Sequence, residues 1–191
     1  MRVVEKVHHA LAETLRPGDI AIDATAGNGH DVVMLAQLVG ASGKVHAFDL
    51  QGTAIEATKE KLEDADLLDR CVLHHAGHEK MDALLPSETR GQVRAVVFNL
   101  GYLPGGHKSI VTTPKNTMAA LETAMDWLQS DGLLAVTAYR GHPGGMEEAT
   151  EVERRVVGLP PKDFKVSIEK TSAETTSPVT FFVRKVNASS R

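Results

Sequence analysis

Five short apolar runs, each followed after a turn by a stretch of helical character, restrict this chain to very few folds. The runs are Ile20–Ala24, Val45–Leu50, Val72–His75, Ala95–Leu100 and Leu133–Tyr139. Short runs of this kind suit strands buried on both faces, and such strands belong to parallel sheets covered by helices. The spacing predicts helices over Asp31–Val39, Thr53–Leu67, Glu79–Leu85, Pro114–Leu128 and Met146–Val157. Another is predicted over Val3–Leu15, where Val4, Val7, Leu11 and Leu15 recur at helical spacing. Thr113 reads as an N-cap ahead of Pro114, and Asp131-Gly132 as the stop of that helix. Phe164–Glu169 and Val179–Lys185 follow each other as strands, which predicts an antiparallel hairpin at one edge. The expected fold class is α/β, a three-layer sandwich around a mostly parallel seven-stranded sheet. Residues 1–186 form the expected single domain, and 187–191 a frayed tail.

Composition excludes several classes of function. Hydrophobic residues are 42% and charged residues 24%, the balance of a globular chain rather than a disordered or fibrous one. A net charge of −4 leaves no global basic field, so a nucleic-acid partner needs a local patch. Cys71 is the one cysteine, which excludes an internal disulfide and a thiolate metal cage. No apolar run approaches the roughly 18 residues of a membrane span, and Met1–Lys6 lacks a signal-peptide pattern. A soluble, cytoplasmic protein without a membrane partner is expected. His74, His75 and His78 form an H-H-x-x-H run, but neighbours on a strand point to opposite faces, so no metal is expected. His8 and His9 read as helix-surface residues.

In an open sheet of this kind, ligands bind at the carboxyl ends of the strands. The first strand–helix junction there is Asp23-Ala24-Thr25-Ala26-Gly27-Asn28-Gly29-His30-Asp31. Glycines allow a tight turn and close approach, and the following helix offers free amides. Asp49 closes the second strand and can accept from both hydroxyls of a ribose. A dinucleotide fingerprint needs a third glycine where this chain has Val32. An acid opening the loop instead suits a ligand with a cationic amino acid group, such as S-adenosylmethionine. The alternative is a plain strand–helix turn in which Asp23 caps local amides. After the fourth strand comes Phe98-Asn99-Leu100-Gly101-Tyr102-Leu103-Pro104-Gly105-Gly106-His107-Lys108-Ser109. The Asn99 carbonyl can accept from an amine and turn its lone pair toward a methyl donor. Tyr102 can stack on a base, and Lys108 with Lys115 can meet a phosphate. His142 can accept a proton or contact the base; alternatively it bonds only to local backbone. Arg140, Arg154 and Arg155 with the two lysines would form a basic rim.

The Asp23–Asp31 loop, Ala47-Phe48-Asp49, the Phe98–Gly106 run and Tyr139-x-Gly141-His142-Pro143 together resemble a bacterial family labelled rRNA methylase. Its members include the tRNA 5-aminomethyl-2-thiouridine methyltransferase of Gram-positive bacteria, and the resemblance runs from Asp19 to about Lys185. It implies a class I methyltransferase fold, Rossmann-like, with S-adenosylmethionine as donor and S-adenosylhomocysteine as product. The implied acceptor is the wobble uridine in the anticodon loop of tRNA, giving 5-methylaminomethyl-2-thiouridine. Cofactor contacts are then expected from Asp23, Thr25, Gly27, Asn28, Gly29, His30, Asp31, Asp49, Gln51, His78, Asn99 and Leu100. Catalytic roles fall to Asn99, Tyr102 and His142. Substrate contacts fall to Tyr102, Gly105, Gly106, His107, Lys108, Tyr139, Arg140 and His142. His107 stands where the family often has an acid. A homodimer would give a whole tRNA more contact area. Ribosomal RNA, a small-molecule acceptor and a non-catalytic cofactor-binding role stay open at this point.

Overall fold

The computed structural model describes residues 3–103, 105, 110–170, 172 and 174–186. Seven strands form one sheet in the order β3-β2-β1-β4-β5-β7-β6. They are β1 (Ile20–Asp23), β2 (Lys44–Asp49), β3 (Cys71–His75), β4 (Val93–Leu100), β5 (Leu128–Ala138), β6 (Phe164–Lys170) and β7 (Val179–Lys185). The first five pair in parallel; β7 runs antiparallel to both β5 and β6, so the expected hairpin is present with its second strand turned inward. The helices are α1 (Val3–Thr14), α2 (His30–Val39), α3 (Gly52–Asp64), α4 (Met81–Leu84), α5 (Pro114–Trp127) and α6 (Gly145–Val157).

Alternation along each strand divides the core in two. Ala21, Val45, Ala47, Ala95, Val97, Leu133 and Ala135 face α1, α2 and α3. Their neighbours Ile22, Phe48, Val96, Phe98, Leu134 and Val136 face α4, α5 and α6. The first face is built largely of alanine, so Val32, Leu35, Ala36 and Val39 of α2 supply the bulk there. None of the described helices is long and apolar enough to cross a membrane.

Two boundaries differ from the sequence reading. The predicted third helix runs to Leu67, but α3 stops at Asp64. Asp66 adopts a left-handed φ of +55°, and the Leu67 amide reaches back to Leu62 O (2.8 Å) while the Asp66 amide bonds Glu63 O (3.0 Å). This is a Schellman stop, with Leu67 buried beyond it. Asp131-Gly132 does not terminate the fifth helix. Leu128 already pairs with Val93, and pairing resumes at Leu133 opposite Ala95, so the segment is an excursion inside β5 with Asp131 at φ +60°. Thr113 holds the N-cap position as expected, although its hydroxyl makes no capping bond.

Between β2 and β3 lies a histidine pair. His46 is 4% exposed, its Nδ1 sits 3.2 Å from His74 Nε2, and the His74 ring stacks on Phe48 at 4.3 Å. Burial first, then the charges of His74 and Lys44, lower the His46 pKa from 6.5 to about 4. The unfolded chain takes up this proton below pH 6.5 and the folded chain only near 4, so stability falls with pH across that window. Denaturant unfolding at pH 7 and pH 4.5 should show wild type losing about 2 kcal/mol more than His46→Leu. Equal losses in the two proteins would contradict this account.

Candidate functional site

Because β1 lies between β2 and β4, consecutive connections leave the sheet in opposite directions, and a crevice opens above the carboxyl ends of these strands. It is a cavity of 730 Å³, lined from the turn after β1, the ends of β2 and β4, the segment after β3, and the loops after β4 and β5.

Asp49 organises its floor. The Gly27 amide donates to Asp49 Oδ2 and the Gln51 amide to Asp49 Oδ1, each at 2.9 Å. The Ala26 amide donates to Phe48 O at 2.8 Å. Gly27 and Gly29 take left-handed φ of +54° and +79°. At Gly29 a Cβ would stand 2.8 Å from Thr58 Cα, a backbone atom of α3, so this turn excludes side chains twice over.

Beneath the turn Asp23 is fully buried and accepts from the Thr25 amide at Oδ1 (3.0 Å), while Oδ2 has no partner among the described residues. Burial, followed by the charge of Asp31, holds the Asp23 carboxyl well above the usual carboxylate range against the Thr25 amide. Thr25 Oγ1 accepts from the Asn99 amide (2.7 Å), which ties β1 to the end of β4. The Asn99 side chain donates through Nδ2 to Asp31 Oδ2 at 2.8 Å. His8 Nε2, from α1, lies 2.7 Å from Asp31 Oδ1. A carboxylate accepts only, so both nitrogens donate. His78 donates Nδ1–H to Ala24 O (3.2 Å), and burial lowers its pKa. Beside it Glu79 Oε2 is buried with no partner among the described residues.

Opposite this floor the rim is apolar and aromatic, with Tyr102, Ile110 and Tyr139 exposed. Burial first, then Asp31, raises the Tyr139 pKa. Tyr102 meets His142 edge-on, with ring centroids 5.9 Å apart. His142 donates Nδ1–H to Pro143 O (3.0 Å), the local backbone bond that the sequence reading left as the alternative. Its Nε2 is buried without a partner among the described residues, and a Cβ on Gly145 would lie 2.7 Å from it and 2.5 Å from Tyr139 O.

The structure therefore brings together Thr25, Gly27, Asn28, His30, Asp31, Asp49, Gln51, His78, Asn99, Tyr102, Tyr139, Arg140 and His142 around one cavity. Several expectations are corrected. Leu100 points into the core, Asp23 and Gly29 lie behind the wall, and none of the three nor the exposed Gly105 is among the residues lining the cavity. Gly106, His107 and Lys108 lie outside the described residues. Arg140 spends its guanidinium on Ser177 O (2.6 Å) and Glu174 O (3.2 Å). Arg154 pairs with Glu151 and Arg155 with Glu122, so these two form no free basic rim. The histidine run diverges: His74 goes to Phe48, His75 to Leu50 O and His78 to Ala24 O. Among the described residues no group of three or more potential ligands could hold a metal.

Three residues escaped the sequence reading. His8 was assigned to the helix surface, where only His9 stays, paired with Glu13. Glu79 carried a readable signal, an acid two positions after the Gly77 turn. Glu148 is 1% exposed on α6 and accepts from Thr112 and Thr117 hydroxyls, both at 2.6 Å, fastening the long loop to α5 and α6.

Two opposite stability changes follow. Gly29→Ala should cost about 1–2 kcal/mol from its left-handed backbone alone, read by denaturant unfolding. Asp23→Asn should instead raise the thermal midpoint at pH 7. The folded-state pKa of Asp23 is raised, so its favourable contribution at low pH is lost as pH rises through that value. An Asn at this position that lowers the midpoint at pH 7 would refute the assignment.

The family model described as rRNA methylase matches residues 45–185. A chloroplastic tRNA (mnm5s2U34)-methyltransferase of Arabidopsis thaliana is 41% identical over 171 residues, 85% of this chain. The chain spans 62% of that relative's length. A crystal structure of an rRNA methylase from Clostridium thermocellum superposes with a TM-score of 0.91 at 37% identity, covering 97% of this chain and 98% of that one. A Streptococcus mutans methyltransferase in complex with SAH superposes with a TM-score of 0.87 at 34% identity, covering 97% and 99%.

Proposed function

The chain belongs to the rRNA methylase family, and from that premise we propose that it is an S-adenosylmethionine-dependent RNA methyltransferase acting on the exocyclic amine of 5-aminomethyl-2-thiouridine at the tRNA wobble position. Its fold is the class I methyltransferase fold, by strand order and by likeness to the Clostridium and Streptococcus structures. The observation that carries the reading is the Asn99 carboxamide, held by Asp31 at the end of β4 between the cavity floor and the aromatic rim.

The residues present fit the cofactor. Asp49, immobilised by two backbone amides, is set to receive the ribose hydroxyls. The turn at 24–29 suits the amino acid end, while the two oxygens of Asp31 are engaged by Asn99 and His8. Gly77, His78 and the unpartnered Glu79 Oε2 suit the adenine, whose amino group needs an acceptor. When bound, S-adenosylmethionine supplies a methyl group on a sulfonium, an electrophile that needs no nucleophilic side chain from the protein.

The chain's own residues position the acceptor. With its Nδ2 committed to Asp31, Asn99 turns its carbonyl oxygen the other way, where it accepts an N–H of the amine and directs the lone pair. The apolar rim disfavours the ammonium form and so favours the reactive neutral amine. Tyr102 offers its exposed ring to the uridine. Because His142 Nε2 is buried against glycine, the proton shed by the amine goes to water. An anticodon loop as partner, a homodimer to widen the contact and a cytoplasmic location accompany this reading.

A second reading, ribosomal RNA as acceptor, draws support from the family description and from a ribosomal RNA small subunit methyltransferase H of Pseudoalteromonas atlantica, 31% identical over 46% of this chain and 27% of its own. Incubation with labelled S-adenosylmethionine and tRNA from a strain lacking the gene, followed by nucleoside mass spectrometry, separates the two. One methyl gained on 5-aminomethyl-2-thiouridine is the expected result; label in ribosomal RNA alone would overturn it. Asn99→Ala should lower kcat about 100-fold while the Kd for S-adenosylhomocysteine changes little.

A further inference from the structure

We infer that His8, on a helix outside the strand–helix units that build the cofactor site, is a positioning residue that holds the Asn99 carboxamide in its productive orientation through Asp31. The inference rests on the reading of Asn99 given above.

A primary carboxamide has two nearly isosteric faces, one an acceptor and one a donor. Only the acceptor face leaves the amine lone pair free to attack; the flipped rotamer would donate its NH2 to the substrate nitrogen and tie that lone pair up. Asp31 decides between them, because its carboxylate can accept only from Nδ2. That decision holds only if the carboxylate itself is fixed. Asp31 stands in the first turn of α2 and is partly open to the cavity, with its side chain 15% exposed. Oδ2 takes Asn99 at 2.8 Å and Oδ1 takes His8 at 2.7 Å, so the two donors hold the carboxylate at both oxygens. Without His8, rotation about the Asp31 side chain would be limited by Asn99 alone.

His8 is placed by more than its own contact. Val7 and Leu11 bury α1 against the sheet, and the adjacent helix face turns Val4 and His8, one turn apart, into the cavity wall. Both ends of α1 are tied to strands of the sheet. Lys6 pairs with Glu169 of β6, Arg94 Nε donates to Thr14 O (3.1 Å) and Arg184 Nη2 to Thr14 Oγ1 (3.1 Å). The imidazole thus arrives at Asp31 on a rigid element.

The test pairs His8→Ala with His8→Gln, whose carboxamide can still donate to Asp31. One readout needs no substrate: the Asn99 side-chain amide signals in the isotope-labelled protein with S-adenosylhomocysteine, identified by their loss in Asn99→Asp. These signals should shift and broaden in His8→Ala and return in His8→Gln. In methyl transfer to tRNA carrying the aminomethyl group, His8→Ala should lower kcat about tenfold and His8→Gln should recover most of it. KM and the Kd for S-adenosylhomocysteine should stay within twofold of wild type. Unmoved Asn99 signals, an unchanged kcat in His8→Ala, failure of Gln to rescue, or a loss of cofactor affinity as large as the loss of kcat would each overturn the inference. A wild-type protein that transfers no methyl to tRNA would refute the functional reading instead, and the Asn99 signals would still decide whether His8 holds the carboxamide.

Discussion

The site hangs from the carboxylate of Asp49. One oxygen takes the amide of Gly27 from the turn after β1, and the other takes the amide of Gln51 at the cap of α3. These are charge-assisted bonds, shorter and stronger than neutral ones, and they join two turns that the sheet ladder itself does not reach. Thr25 extends the link to β4 by accepting the Asn99 amide. Three neighbouring strand ends are therefore fastened by side chains where their own hydrogen bonds run out. The geometry of Asp31, Asn99 and His78 is measured from that frame.

Around the same frame lie three buried atoms without a partner among the described residues: Asp23 Oδ2, Glu79 Oε2 and His142 Nε2. A buried polar group without a partner costs about 1–3 kcal/mol. All three belong to the cavity wall or to the residues just behind it, while the apolar halves of the core are closed on both faces of the sheet. Stability is thus given up locally, in the region where a ligand with donors of its own would restore it.

Much of this was legible in the residues. The apolar runs marked the central strands β1, β2 and β4 to within two positions, since a strand buried on both faces has no polar side to confuse the pattern, whereas β5 begins five residues earlier than its run. The glycine turn and Asp49 marked the end of the sheet where the cavity opens. What escaped was either ambiguous or tertiary. A turn such as Asp131-Gly132 carries the same signal whether it separates helix from strand or interrupts a strand, and only pairing of Leu128 with Val93 decides. Leu67 looks helical because it is apolar, yet it sits past a left-handed Asp66. His8 falls at the edge of an amphipathic stripe, and its contact with Asp31 spans 23 residues of chain. Arg140 has the charge of an RNA contact, but two loop carbonyls consume it. Glu148 reads as an acid at a helix start, and only the packing of α5 against α6 turns it onto two threonines.

The Glu148 clasp divides the cavity by origin. Its donor-facing half is made of tight turns whose shape is dictated by glycine conformation and main-chain amides. Its other half is the segment after β4, which a single carboxylate fastens through Thr112 to Thr117 of α5. An insertion or replacement between Gly101 and Thr112 would leave the strand ends, the Asp49 frame and both core layers untouched. A scaffold partitioned in this way lets one segment be reshaped without disturbing the turns that face it.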